Sequence, residues 1–187
     1  MLIGITGTIG SGKSYVSNII HNSYHYDVFS SDVFVNLAYD DNKVKEQLNS
    51  HFNCLVDGKV DKSIIKEKLN DDNINVLNQI IHPFVIDKIK KLKKDYVDKI
   101  AFVEVPLLYE LNLDYLFDKV IAISIDDDLR HQRLKERDKN NYQKMLFLEK
   151  KQFDNNQKCL KADYIIYGSL NDDNTKRQIS DIINKIN

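Results

Sequence analysis

The sequence predicts an α/β protein, a three-layer α/β/α sandwich built on a five-stranded parallel sheet. Three observations predict it. Apolar, β-rich runs recur along the chain, each followed by a segment with helical spacing. The first run leads into a glycine-rich stretch, GITGTIGSGKSY, from Gly4 to Tyr15. The middle runs, KIAFVEVP and DKVIAISI, are apolar almost throughout, as strands covered on both faces must be.

Leu2 to Thr6 is short and apolar and reads as the first strand, and Val16, Ile19 and Ile20 after Lys13 have helical spacing. Tyr26 to Phe34 reads as a second strand running into a loop and helix at Ser30, Ser31 and Asp32. Lys43 to Tyr96 is helical in period, with a turn at Asp57 to Lys59 and a helix cap at Asp61. That stretch is too long for one crossover and predicts a helical insertion over about 36–97. Pro83 follows His82 within it and predicts a break or kink, because proline removes a backbone donor and clashes with the preceding turn. Lys99 to Pro106 and Asp118 to Ile125 are the next two strands, and the second leads into a helix that carries Arg130, Arg133 and Arg137. A helix near Met145 to Phe153, a last strand from Ala162 to Tyr167 and a terminal helix from about Asn174 complete the alternation.

With 187 residues the chain fits one domain with small insertions. It carries 27 Lys and Arg against 28 Asp and Glu, so no overall field draws it to nucleic acid or an anionic membrane. Small molecules are the expected partners. No apolar run approaches the ~20 residues that span a bilayer. The two cysteines, Cys54 and Cys159, stand apart without a metal or disulfide pattern, so a cytoplasmic protein is expected, with both read as small buried residues. A monomer is expected as well. Lys88 to Lys94 alternates basic and apolar residues at helical spacing and reads as an amphipathic helix.

Gly7 to Ser14 matches G-x-x-x-x-G-K-[ST] between a strand and a helix, which predicts a phosphate-binding loop. Its glycines let backbone N–H groups turn inward, Lys13 reaches the terminal phosphates, and the Ser14 hydroxyl suits Mg2+. Asp32 ends the second strand at the carboxyl edge, where ligands of such sheets bind. It reads either as a proton acceptor or metal partner, or as part of a helix cap with Ser30 and Ser31. Glu104 closes a buried strand, a costly place for an acid unless a metal or hydrogen-bond network uses it. Arg133 and Arg137 are four apart on one helical face, with Arg130 a turn earlier. They suit phosphate oxygens; the alternative is a solvated face paired with Glu136 and Asp126 to Asp128.

As a set these residues resemble the dephospho-coenzyme A kinase family over nearly the whole chain. The carriers are TGTIGSGKS, the SSD at Ser30 to Asp32, the His-Pro at His82, PLLYE from Pro106 to Glu110, QRLKERD, Gln152 and KADYII. The resemblance implies a P-loop kinase core with a helical substrate-binding insertion and a lid over about 138–156, all in one chain of 1–187. It implies transfer of the γ-phosphoryl group of ATP, with Mg2+, to the ribose 3'-hydroxyl of dephospho-coenzyme A. Asp32 becomes the base; Gly10, Ser11, Gly12, Lys13, Ser14 and Tyr15 wrap the ATP phosphates; Arg133 and Arg137 neutralise charge. His82, Pro106, Leu108 and Glu110 shape the acceptor site beside Asp32. Ser30, Asn36 and Lys158 depart from the family's usual residues. The alternatives are another small-molecule or nucleoside monophosphate kinase of this fold, and a catalytically silent ATP-binding module.

Overall fold

Strand β1, Leu2–Thr6, is buried at every position and forms the middle of the sheet in a computed structural model of the chain. The structure describes residues 1–70, 72–137, 139, 141–168 and 172–186, with the side chains of 137, 144 and 172 left aside. Strand β2 is Asp27–Ser30, β5 is Ala101–Glu104, β6 is Lys119–Ser124 and β7 is Tyr164–Tyr167. They form a five-stranded parallel sheet in the order β2-β5-β1-β6-β7. Ile3 pairs with Phe102 on one side and with Lys119 on the other. The reversal of strand order beside β1 opens a crevice at the carboxyl edge, the usual ligand position in open α/β sheets.

One face of the sheet is covered by α1, Lys13–Tyr24, and α9, Asp172–Ile186. Ile3, Ile5, Phe102 and Ile121 of the strands meet Val16 and Ile20 of α1 and Ile179 and Ile183 of α9 in one buried cluster. Helices α6, Asp127–Arg137, α7, Tyr142–Glu149, and α8, Asn155–Lys161, follow β6. The capping box between Asp154 and Gln157 starts α8. These segments belong to one compact unit, Met1–Phe29 with Tyr96–Asn187.

The other unit is Ser30–Asp95. It holds α2, Ser31–Ala38, α3, Asn42–Phe52, a hairpin of β3, Leu55–Val56, and β4, Lys59–Val60, then α4, Lys62–Lys68, and α5, Ile74–Asp95. The turn expected at Asp57 to Lys59 is the hairpin turn, with Asp57 and Gly58 at φ 50° and 74°. Asp61 caps α4 as expected, its carboxylate accepting from Ser63 N–H at 2.8 Å.

Two expectations are corrected. The second strand runs into a helix at Ser30 and Ser31 as expected, but it ends at Ser30 rather than at Asp32, because the Ser30 hydroxyl accepts from Asp32 N–H and puts Asp32 in the first turn of α2. The break expected at Pro83 is absent: α5 runs through it. The ring deprives the Gln79 carbonyl of its helical partner, yet Ile80, Ile81, Val85 and Ile89 on both sides stay buried, packing that offsets the missing bond.

Candidate active site

The loop from Gly7 to Ser14 joins β1 to α1, as the motif requires. Gly10 has φ +80°, and a Cβ there would lie 2.8 Å from Leu134 of α6, so both backbone and space demand glycine. Gly12, at φ +94°, is the N-cap of α1, and Nη1 of Arg133 lies 4.0 Å from where its Cβ would be. Arg133 is therefore set over the helix N-terminus, whose unpaired N–H groups and dipole favour anions. The Lys13 ammonium donates to the carbonyls of Gly7 at 2.9 Å and Thr8 at 3.0 Å. That places a flexible cation across the mouth of the loop.

Ser14 and Tyr15 are exposed on the first turn of α1, and Ser11 is buried beneath it. The Ser14 hydroxyl donates to Oε2 of Glu104 at the end of β5, at 3.3 Å. A hydroxyl and a carboxylate side by side at a phosphate loop are hard oxygen donors. No group of three or more His, Cys, Asp or Glu among the described residues forms a metal cluster by itself.

The arginine helix divides. Arg130 is 2% exposed and does structural work: it binds Asp127 through Nε and Nη2 at 3.1 and 2.9 Å, Glu149 through Nη2, and the carbonyl of Ile9 through Nη1 at 3.3 Å. Burial alone would pull its guanidinium down, but the Glu149 and Asp127 carboxylates outweigh this and hold it above the ordinary arginine value. Arg133 is half-buried at the loop. Arg137 ends α6, and its side chain lies outside the described residues.

The segment after β5 faces inward more than its motif suggests. Leu108 is fully buried, with Cδ1 2.7 Å from where a Gly4 Cβ would stand, so its side chain belongs to the core and Leu107 is the exposed leucine. The Pro106 carbonyl accepts from Lys158 Nζ at 2.6 Å and from Thr6 Oγ1 at 3.4 Å. Oε1 of Glu110 accepts from Phe153 N–H at 2.8 Å and pairs with Lys158 at 2.8 Å, while its buried Oε2 has no partner. Lys158 is fully buried, and desolvation lowers its pKa below the ordinary lysine value despite the bond to Glu110.

In the unit Ser30–Asp95, Asp32 lies in the first turn of α2, exposed, and the cap bond is made by Ser30, so the Asp32 carboxylate is left for other work. His82 is half-buried within α5, and burial lowers its pKa. Among the expected residues of the sheet-bearing unit, the structure groups Gly10, Gly12, Lys13, Ser14, Glu104 and Arg133 at the loop, and Pro106 and Glu110 on Lys158. Sequence reasoning missed that Gln152 accepts from Ile9 N–H at 3.0 Å. Only its place in the family pattern singled it out. Ser169 and Leu170, which follow the last strand, lie outside the described residues.

A family model described as dephospho-CoA kinase matches residues 1–176. The chain is 35% identical to a dephospho-CoA kinase of Fusobacterium nucleatum over 91% of each chain. It is similar to a solved dephospho-CoA kinase from Campylobacter jejuni, with a TM-score of 0.67 and 28% identity over 99% of this chain and 96% of that one. A Thermus thermophilus structure shares the fold at a TM-score of 0.84 and 22% identity, over 100% and 98% of the two chains.

Proposed function

The chain belongs to the dephospho-CoA kinase family, and from that premise we propose that it transfers the γ-phosphoryl group of ATP to the ribose 3'-hydroxyl of dephospho-CoA, giving CoA and ADP. The observation that carries this reading is the strand-loop-helix of β1 and α1, with the Lys13 ammonium across its mouth and Arg133 beside Gly12. Backbone N–H groups from Gly10 to Tyr15 hold the β and γ phosphates, and Lys13 leaves its loop carbonyls to pair with them. The acceptor oxygen forms its bond to the γ phosphorus as the bond to the β-phosphate oxygen breaks, and Asp32 takes the hydroxyl proton. Arg133 and Arg137 balance the charge spreading over the transferring group. Little covalent chemistry is asked of the protein, so positioning and electrostatics supply the rate.

Ser14 and Glu104, two hard oxygen donors side by side, fit Mg2+ and would hold it, and the ion would supply charge neutralisation for the transferring phosphates. His82, Pro106, Leu108 and Glu110 serve the acceptor, the last three through the backbone of the segment that Lys158 holds. The helical insertion and a lid over about 138–156 complete the assignment. Two free cysteines accord with a cytoplasmic setting, and no helix among the described residues is long and apolar enough to cross a membrane. We assign a monomer, to be checked by sedimentation.

The test is a panel of acceptors offered to the purified protein with ATP and Mg2+. ADP release and product formation are expected with dephospho-CoA; phosphorylation of a nucleoside monophosphate in its place would overturn the reading.

A further inference from the structure

Two consecutive residues after α7 hold two different parts of the core. The Gln152 side-chain oxygen accepts from the Ile9 N–H of the phosphate loop, and the Phe153 N–H donates to Glu110, which Lys158 secures from the other side. Ile9 is gripped through both of its backbone polar groups, because its carbonyl accepts from Arg130 and Arg130 in turn pairs with Glu149, three residues before Gln152. Residues 149–158 therefore form a strap whose one end sets the loop and whose other end sets the segment after β5.

Each of these bonds is fixed by buried or half-buried partners: Arg130 is 2% exposed, Lys158 is fully buried and Gln152 is half-buried. A residue held through both its N–H and its C=O has the two peptide planes that flank it fixed, and loops of this kind bind phosphate only when their N–H groups converge. Thr8 and Ser11, on either side of Ile9 and Gly10, carry buried hydroxyls without hydrogen-bond partners, and the Lys13 ammonium ties the carbonyls of Gly7 and Thr8 but not Ile9. At Ile9 the holding comes from Gln152 of the strap and from Arg130, which the strap secures through Glu149.

We propose that Gln152 is a positioning residue: it fixes the Ile9 peptide so that the phosphate loop is preformed, and through Phe153 it links the state of that loop to the Glu110 segment. The inference rests on the reading of residues 7–14 as a nucleotide loop. It extends that reading by naming what keeps the loop in shape and what makes occupancy of the two sides interdependent.

The experiment combines amide hydrogen exchange with titration of a non-hydrolysable ATP analogue, on the full chain and on Gln152→Ala and Gln152→Glu. Gln152→Ala is expected to speed exchange at Ile9 and to weaken the analogue about fivefold, the scale of one net hydrogen bond. Gln152→Glu, which keeps an acceptor oxygen, restores the Ile9 protection. In the parent protein saturation with dephospho-CoA slows Ile9 exchange, and in Gln152→Ala it does not. Unchanged Ile9 exchange in Gln152→Ala, or analogue affinity equal to the parent's, overturns the proposal. A dephospho-CoA effect on Ile9 that survives in Gln152→Ala overturns the linkage. If dephospho-CoA does not bind the parent at all, the acceptor assignment fails, while the Ile9 and analogue measurements still decide the role of Gln152.

Discussion

Lys158 and Glu110 meet where water does not reach the ammonium, so each is tolerable only because of the other. Lys158→Ala strands a buried carboxylate and is expected to cost about 3–5 kcal/mol in denaturant unfolding, whereas Lys158→Met with Glu110→Gln recovers most of it. A double variant as unstable as the single one would contradict that account. Asp32 calls for a different readout, since it is exposed and bears no part of the fold's packing. Asp32→Asn should lower turnover roughly 100-fold or more while leaving nucleotide affinity in place. Lys13→Ala, by contrast, should damage both. Asp163 supplies a pH signature. Burial pushes its carboxyl up, but Lys119 at 2.8 Å and the Val120 N–H at 2.8 Å outweigh burial and leave its pKa below the usual carboxylate value. Around the usual value the unfolded chain thus binds more proton than the folded one. The contribution of Asp163 is complete above that value and is lost as pH falls through the lowered one. Asp163→Asn should cost on the order of 1 kcal/mol at neutral pH, and the gap to the parent should close below about pH 4.

At the scale of elements, all five strands of the sheet were legible, the three in the middle because a strand covered on both faces has no polar alternation to hide it. The hairpin at Leu55 to Val60 was not legible beyond its turn, since two-residue strands carry no periodicity. Helix α8 was missed although Asp154 and Gln157 spell its capping box, the neighbouring polar residues having been read as part of a lid. Pro83 misled for a physical reason: the local rule against proline is worth about 3 kcal/mol, and the apolar stripe of α5 exceeds it. Pro83→Ala should therefore raise the free energy of unfolding, by roughly 1–3 kcal/mol at most, with α5 unchanged in circular dichroism. A loss of helix in that variant would show that proline sets a bend the chain needs. In the candidate site, the phosphate loop and Arg133 were legible from spacing, while Arg130 looked the same as Arg133 in sequence. Nothing in a helical repeat tells which of two arginines one turn apart is pulled inside by Glu149.

Across the whole molecule, the sheet-bearing unit depends on a core of isoleucines around one large ring. Phe102 is fully buried and meets Tyr26 edge-on at 5.5 Å. Phe102→Ala should cost about 3–5 kcal/mol, a large share of the 5–15 kcal/mol that a domain of this kind has in total, and thermal unfolding would register it directly. The chemistry of the donor side could be read from a few residues close in sequence. The acceptor could not, because the residues proposed for it are scattered from Asp32 to Glu110 and only a resemblance gathered them. The hidden ammonium of Lys158 makes the chain its own reporter. Acylating reagents reach amines through solvent, so exposed lysines such as Lys119, 44% exposed, will be modified at once, and Lys158 only in the moments when residues 149–158 lift away. The rate at which mass spectrometry finds Lys158 acylated is thus a clock for that opening, readable in an unmodified protein and even in a crude extract.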